Sequence, residues 1–228
     1  MLFRSLAVNE RLERVFEAIM RLDDPKPYVA EVAERAAALE SHHAEGELGQ
    51  LADTVRLLAD HHPDDPGVLA AILMNRLVLQ PGDAIFLDAG NLHAYLSGAG
   101  VEIMANSDNV MRGGLTSKHV DVDELTSVLD FNPIPGDTIP PEPVSVGVVR
   151  YPTPAPEFAL WRLTPAGSTI DVPETDAGRA MLVVDGSVTL TSDGSDLLLE
   201  KGQSAFLEAG TAATATGAGT AFLASPGL

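Results

Sequence analysis

The chain has 228 residues, with 33 Asp and Glu against 14 Lys and Arg, giving a formal charge of −19. Nucleic-acid binding needs a basic face to displace counterions, and no stretch clusters enough Lys and Arg to make one; anionic membrane surfaces are excluded on the same ground. The absence of cysteine removes disulfide scaffolds, thiolate metal sites and Cys nucleophiles together, and is compatible with a reducing cytoplasm, the expected location.

The first 75 residues read as helical. From Asn9, which offers an N-cap, Leu12, Val15, Phe16, Ile19 and Leu22 recur at three- and four-residue spacing until Pro25 and Pro27. A second apolar stripe runs through Val29, Val32, Ala33, Ala36 and Leu39, and a third through Leu48, Leu51, Val55 and Leu58, ended by His61, His62 and Pro63. Asp65 and Pro66 open a short fourth helix reaching about Asn75. The pairs His42, His43 and His61, His62 point about 100° apart as helical neighbours and read as solvated rather than chelating. From Leu77 the pattern changes to short apolar runs between turns, such as residues 77–79 and 84–87, which predict strands. One more helix is predicted over 121–129. The five prolines of residues 132–143 cannot enter a sheet interior and mark a linker, after which strands run from 144 to the C-terminus. The longest uncharged run, residues 209–228, is rich in Gly, Thr and Ala rather than in long apolar side chains.

An internal repeat lies within the β region. Residues 79–90 (LQPGDAIFLDAG) align with 199–210 (LEKGQSAFLEAG) at an offset of 120, with six of twelve positions identical. Gly98-Ala99-Gly100 is echoed by Gly217-Ala218-Gly219. Either two hairpins share glycine turns by chance, or two related β units flank the linker; the second reading organises the whole chain.

In the first unit Gly82, five residues, Asp88-Ala89-Gly90, two residues and His93 follow one another. This spacing resembles the second signature motif of the cupins, small antiparallel β-barrels in which the histidine after the glycine turn is a metal ligand. Asp88 departs from the proline usual there, and Ser97 stands where asparagine is frequent. Alternation sends His93 and Tyr95 to one face and Ala94 and Leu96 to the other. The second unit has Ala213 in place of His93, so a barrel without a metal is expected there.

The string GVEIMANSDNVMRGGLTSKHVDVDEL, residues 100–125, sharpens the resemblance. With the cupin motif and Asp65-Pro66-Gly67-Val68 it resembles the catalytic barrel of the type I mannose-6-phosphate isomerase family, most strongly over residues 66–131. That resemblance implies a mainly β fold with an α-helical layer and cupin-type antiparallel β-barrels, a partial catalytic barrel plus a C-terminal barrel. It implies a helical domain over 1–75, the second half of the catalytic barrel over 76–131, a linker over 132–143 and a metal-free barrel over 144–228. The implied reaction interconverts mannose 6-phosphate and fructose 6-phosphate by zinc-assisted proton transfer through an enediol.

Residue by residue, the resemblance makes His93 a zinc ligand, Arg112 a substrate-facing catalytic cation, and Glu102 part of the acid/base machinery. Lys118 would help to hold the phosphate, with Tyr95 and Asp108 lining the same region. On pattern alone, Glu102 is equally readable as a solvent-facing strand residue, Arg112 as the partner of one of the many carboxylates, and His119 as surface. Zinc needs three or four ligands, and the family's Gln-x-His pair has no counterpart here, since Gln50, Gln80 and Gln203 lack a following histidine. Phe3-Arg4 resembles the tail of the family's Cys-Gly-Phe-Arg segment. The chain is therefore expected to begin mid-protein, with the remaining ligands upstream, and to be inactive alone. The alternative is a non-catalytic bicupin binding or scaffold module. Expected partners are a sugar phosphate, and neither nucleic acid nor membrane.

Overall fold

The computed structural model describes residues 8–41, 46–106, 110–133 and 136–227. It divides into two compact units, one comprising Met1–Val78, Leu87–Gly98 and Asn109–Gly136, the other Leu79–Phe86, Ala99–Asp108 and Asp137–Leu228. Phe3, Arg4, His42, His43 and Asp108 lie outside the described residues.

The first unit is helical: α1 (Val8–Met20), α2 (Lys26–Ser41), α3 (Gly46–His61), α4 (Gly67–Ala70) running into a 3-10 turn at Ala71–Leu73, and α5 (Val122–Val128). Helix α1 starts one residue before Asn9, which sits in its first turn rather than capping it. Pro27 is accepted in the first turn of α2, where its missing N–H would have no helical partner anyway. The stripes read from sequence become the core. Val29, Ala36, Ala52, Val55, Leu58 and Val68 form one buried cluster. Phe16, Met20, Ala70 and Leu125 form another, with Phe16 and Phe131 at 5.6 Å between ring centroids. Helix α5 begins where predicted because Asp121 caps it, its carboxylate accepting from the Glu124 amide at 3.0 Å.

The second unit holds β1 (Glu142–Ser145), β2 (Val148–Tyr151), β3 (Phe158–Leu163), β4 (Ile170–Asp171), β5 (Arg179–Asp185), β6 (Ser187–Ser192), β7 (Ser195–Glu200), β8 (Ser204–Leu207), β9 (Thr214–Gly217) and β10 (Thr220–Pro226). They form a six-stranded sheet, β1-β2-β3-β10-β5-β8, and a four-stranded sheet, β4-β9-β6-β7. Every pairing is antiparallel. Alternation puts Ala159, Trp161 and Leu163 of β3, Met181 and Val183 of β5, Val188 and Leu190 of β6, and Ala221 and Leu223 of β10 into one apolar cluster. Strands resume at Glu142, two residues before Val144, and Pro143 lies in β1, an edge strand with a register shift, as a residue without an N–H requires.

The runs at 77–79 and 84–87 differ from expectation. Among the described residues before β1 the only bridge pairs Ala84 with Ile139, whose amide donates to the Ala84 carbonyl at 2.7 Å. An apolar run becomes a strand only through a neighbour's hydrogen-bond ladder, and these runs have none beyond that bridge.

The 120-residue repeat is reproduced in backbone detail. In the first copy the Asp83 amide donates to the Gln80 carbonyl at 2.9 Å, and the Gln80 amide to the Asp83 carboxylate at 2.8 Å. In the second, Gln203 and Glu200 make the same two bonds at 2.9 and 2.8 Å. Gly82 and Gly202 both adopt positive φ, +97° and +86°. Gly82 is further constrained because its carbonyl accepts from the Tyr151 hydroxyl at 3.1 Å while the Arg162 guanidinium occupies the place a Cβ would need. Burial pushes the Tyr151 phenol above its ordinary value, with Arg162 opposing.

The second copy is anchored by Arg179, which is fully buried. Its guanidinium donates to the carbonyls of Pro173 (2.6 Å), Glu208 (3.3 Å) and Thr211. Desolvation holds Arg179 below its ordinary value, opposed by the charge of Glu174. Replacing Arg179 by leucine removes a donor from three carbonyls, of which Glu208 alone keeps another, the Thr211 amide. We expect Arg179→Leu to lower stability by about 3–5 kcal/mol, read from the urea midpoint of the sheet unit followed by Trp161 fluorescence.

Candidate functional site

The helical unit carries His93, Tyr95, Arg112 and Lys118. The turn Asp88 to Asn91 precedes His93: the Asn91 amide donates to the Asp88 carbonyl at 3.3 Å and Gly90 takes φ +82°. His93 then lies 3.0 Å through Nδ1 from the Asn91 carbonyl. A carbonyl only accepts, so in this contact Nδ1 is the donor. As alternation predicts, Tyr95 shares the His93 side, the rings meeting edge-on at 6.1 Å and 81°. His93 is exposed and Tyr95 is 76% exposed.

Both residues line a groove of about 900 Å³ in the helical unit, with Leu51 and Leu58 of α3, Leu92 and Arg76. Arg76 is a groove residue that sequence reasoning missed. Its guanidinium donates to the Gln50 carbonyl at 2.8 Å and stands 3.6 Å from the Asp53 carboxylate. The available signal was a lone cation at the end of a helix in an acidic chain. His61, also on the groove, places Nδ1 2.8 Å from the Leu57 carbonyl at the end of α3.

Arg112 and Lys118 are exposed, and among the described residues neither side chain makes an ion pair. The loop between them is held by Asp65. One carboxylate oxygen accepts from the Gly67 amide at 2.7 Å and the other from the Thr116 amide at 3.1 Å. Gly113 and Gly114 are needed for close packing: a Cβ on Gly113 would collide with Leu92, and one on Gly114, at φ +106°, would lie 2.9 Å from Gly67 Cα. The Asp65-Pro66-Gly67 and Arg112 segments, 45 residues apart at nearest, are thus one packed unit around the loop bearing the cations. Glu102 falls in the other compact unit and is exposed there; His119 is exposed.

Among the described residues no group of three or more His, Asp or Glu could hold a metal ion. His93, exposed and with Nδ1 held by the Asn91 carbonyl, fits a single ligand position. The described residues do not complete a zinc site. No helix among them is long and apolar enough to cross a membrane.

The paired antiparallel sheets, the glycine-turn repeat and the histidine behind the first turn define a cupin-type β protein with a helical layer. No protein-family profile matches the chain. Its relatives are nonetheless clear: the chain is similar to mannose-6-phosphate isomerases. It is 34% identical over 184 residues to the Escherichia coli mannose-6-phosphate isomerase, covering 79% of this chain and 45% of that protein. Against the Salmonella typhimurium enzyme it is 36% identical over 152 residues, 66% of this chain and 37% of the relative. The Bos taurus enzyme is 34% identical over 197 residues, 81% and 45%. The crystal structure of the apo form from Salmonella typhimurium superposes with a TM-score of 0.81 at 32% identity, over 96% of this chain and 55% of that one. The chain therefore spans less than half the length of these curated relatives.

We expect Asp65→Ala to cost about 2 kcal/mol, because two amides lose a charged acceptor, and Gly114→Ala to cost more, because backbone must move. Thermal melts rank the two, and hydrogen exchange at the Gly67 and Thr116 amides should accelerate in Asp65→Ala alone of the surface carboxylate variants.

Proposed function

We propose that this chain forms part of a mannose-6-phosphate isomerase site, in which His93 supplies one zinc ligand and Arg112 and Lys118 engage the sugar phosphate. The observation that carries the proposal is the likeness to those isomerases across most of the chain, together with an exposed His93 whose Nδ1 contacts the Asn91 carbonyl. Zinc, when bound, supplies positive charge that polarises adjacent substrate oxygens.

The chain's own residues then have separable tasks. Lys118, a compact cation on a loop held by Asp65, pairs with the phosphate. Arg112, followed by two glycines that allow backbone and substrate to approach, stabilises negative charge on the enediol oxygens. By the family resemblance Glu102 would move the proton between C1 and C2, and Tyr95 would line the substrate region. These assignments are supported by the family resemblance and by the chemistry each role needs. The comparisons lend the non-catalytic bicupin alternative no support. A sugar-phosphate metabolic role also fits a cytoplasmic location.

Two assays test this. The 228-residue chain alone, given zinc and mannose 6-phosphate, should show no turnover, because one imidazole does not hold zinc; turnover would sink the proposal. Put in place of the segment it matches in the Escherichia coli relative, the chain should interconvert the two hexose phosphates. In that protein Arg112→Ala should lower kcat/KM by roughly 10²–10³-fold, and Lys118→Ala should raise KM about tenfold, one charged hydrogen bond's worth. Retained activity in both variants would remove them from the site.

A further inference from the structure

The two copies of the repeat solve one problem in different ways. Each has a four-residue reversal with a left-handed glycine at its third position, Asp88 to Asn91 and Glu208 to Thr211, with φ +82° at Gly90 and +68° at Gly210. In each, the amide of the fourth residue donates to the carbonyl of the first, at 3.3 and 3.2 Å. The carbonyls of the first and fourth residues then take further donors. In the second copy both are taken by one group, the buried guanidinium of Arg179, which donates to Glu208 and Thr211.

In the first copy two side chains of the turn's own segment take that place. The Asn91 side-chain amide donates to the Asp88 carbonyl at 2.9 Å, and His93 Nδ1 lies 3.0 Å from the Asn91 carbonyl. The orientation of Asn91 follows from chemistry, since its Oδ1 could not face a carbonyl. That orientation leaves Oδ1 buried without a hydrogen-bond partner. A turn that keeps its donor while orphaning an oxygen is organised around the donor.

We propose that Asn91 is a positioning residue for His93. By clamping the turn it aims the Asn91 carbonyl at Nδ1, fixes the Nδ1–H tautomer, and so reserves Nε2 as the free electron-pair donor. This rests on the reading of His93 as a ligand only for its purpose, since the tautomer is a property of the chain itself. Arg179 marks the same two carbonyls in the copy that has Ala213 instead of a histidine.

The tautomer is directly readable. Long-range ¹H–¹⁵N correlation on the uniformly labelled 228-residue chain, at a pH well above the ordinary imidazole range, distinguishes the protonated from the bare ring nitrogen. His93→Gln assigns the His93 signals among the six histidines. In the unmodified chain His93 should show a protonated Nδ1 and a bare Nε2. Asn91→Ala should move it toward a mixture with the Nε2–H form that neutral imidazole prefers in water. His61, whose Nδ1 contacts the Leu57 carbonyl, should not move and serves as the internal control. Asn91→Asp keeps the size but loses the donor, and should behave as Asn91→Ala does; it also covers the case in which the alanine variant fails to fold. A predominantly Nε2–H His93 in the unmodified chain overturns the proposal, as does a variant that folds and keeps Nδ1–H. Either result stands whether or not the longer protein isomerises hexose phosphates, so the two proposals fail separately.

Discussion

A chain that reverses at a glycine turn leaves carbonyl oxygens that no ladder satisfies, and this protein meets that constraint twice, 120 residues apart. The turns at 80–83 and 200–203 close on themselves, each by a reciprocal pair of bonds between the first and fourth residues. The turns at 88–91 and 208–211 need further, side-chain donors. What supplies those donors separates a purely structural copy from one that presents an imidazole.

The choice of donor has electrostatic consequences in a chain of charge −19. Of the 14 cations, Arg179 is withdrawn from solvent to serve carbonyls and Arg76 is committed to Gln50 and Asp53. Arg21 and Arg35 pair with neighbouring acids on their helices. Arg112 and Lys118 are without such partners among the described residues. An anionic substrate approaching so acidic a protein is repelled at long range. Attraction must therefore be local, and cations already neutralised by carboxylates would contribute little to it.

The helical core was legible in the sequence because its apolar positions follow the helical period, and each stripe from Phe16 to Leu58 supplies buried residues, although Leu48 stays exposed. The repeat was legible because left-handed glycines leave few substitutes, as Gly82 and Gly202 show. The strands expected at 77–79 and 84–87 do not form, and the reason is physical. Periodicity reports which side of a segment is apolar, whereas a strand also needs a partner at hydrogen-bonding distance, which is non-local information. The same limit hid Arg76 and Asp65. Asp65 reads as a helix-start residue, and only the fold reveals that its second oxygen holds Thr116, 51 residues away. Arg179 was invisible because a basic residue in an alternating strand reads as outward, while here it occupies an inward position among Met181 and Val183 and is tolerated because three carbonyls meet it.

The position two residues after each turn shows how a shared scaffold accommodates an imidazole in one copy and excludes it from the other. Ala213 is packed in the apolar cluster between the sheets, beside Val172, whose amide donates to its carbonyl at 3.0 Å. An imidazole there would have to be buried among aliphatic side chains, and the carbonyl that could orient its Nδ1 is already taken by Arg179. At His93 the surroundings are open and the equivalent carbonyl is free to accept from the ring, because the turn is clamped by Asn91 instead of an arginine. Exchanging an external cation for a side-chain amide within the turn thus does two things at once. It satisfies the first carbonyl without occupying the fourth, and it leaves the fourth to determine which nitrogen of His93 faces outward.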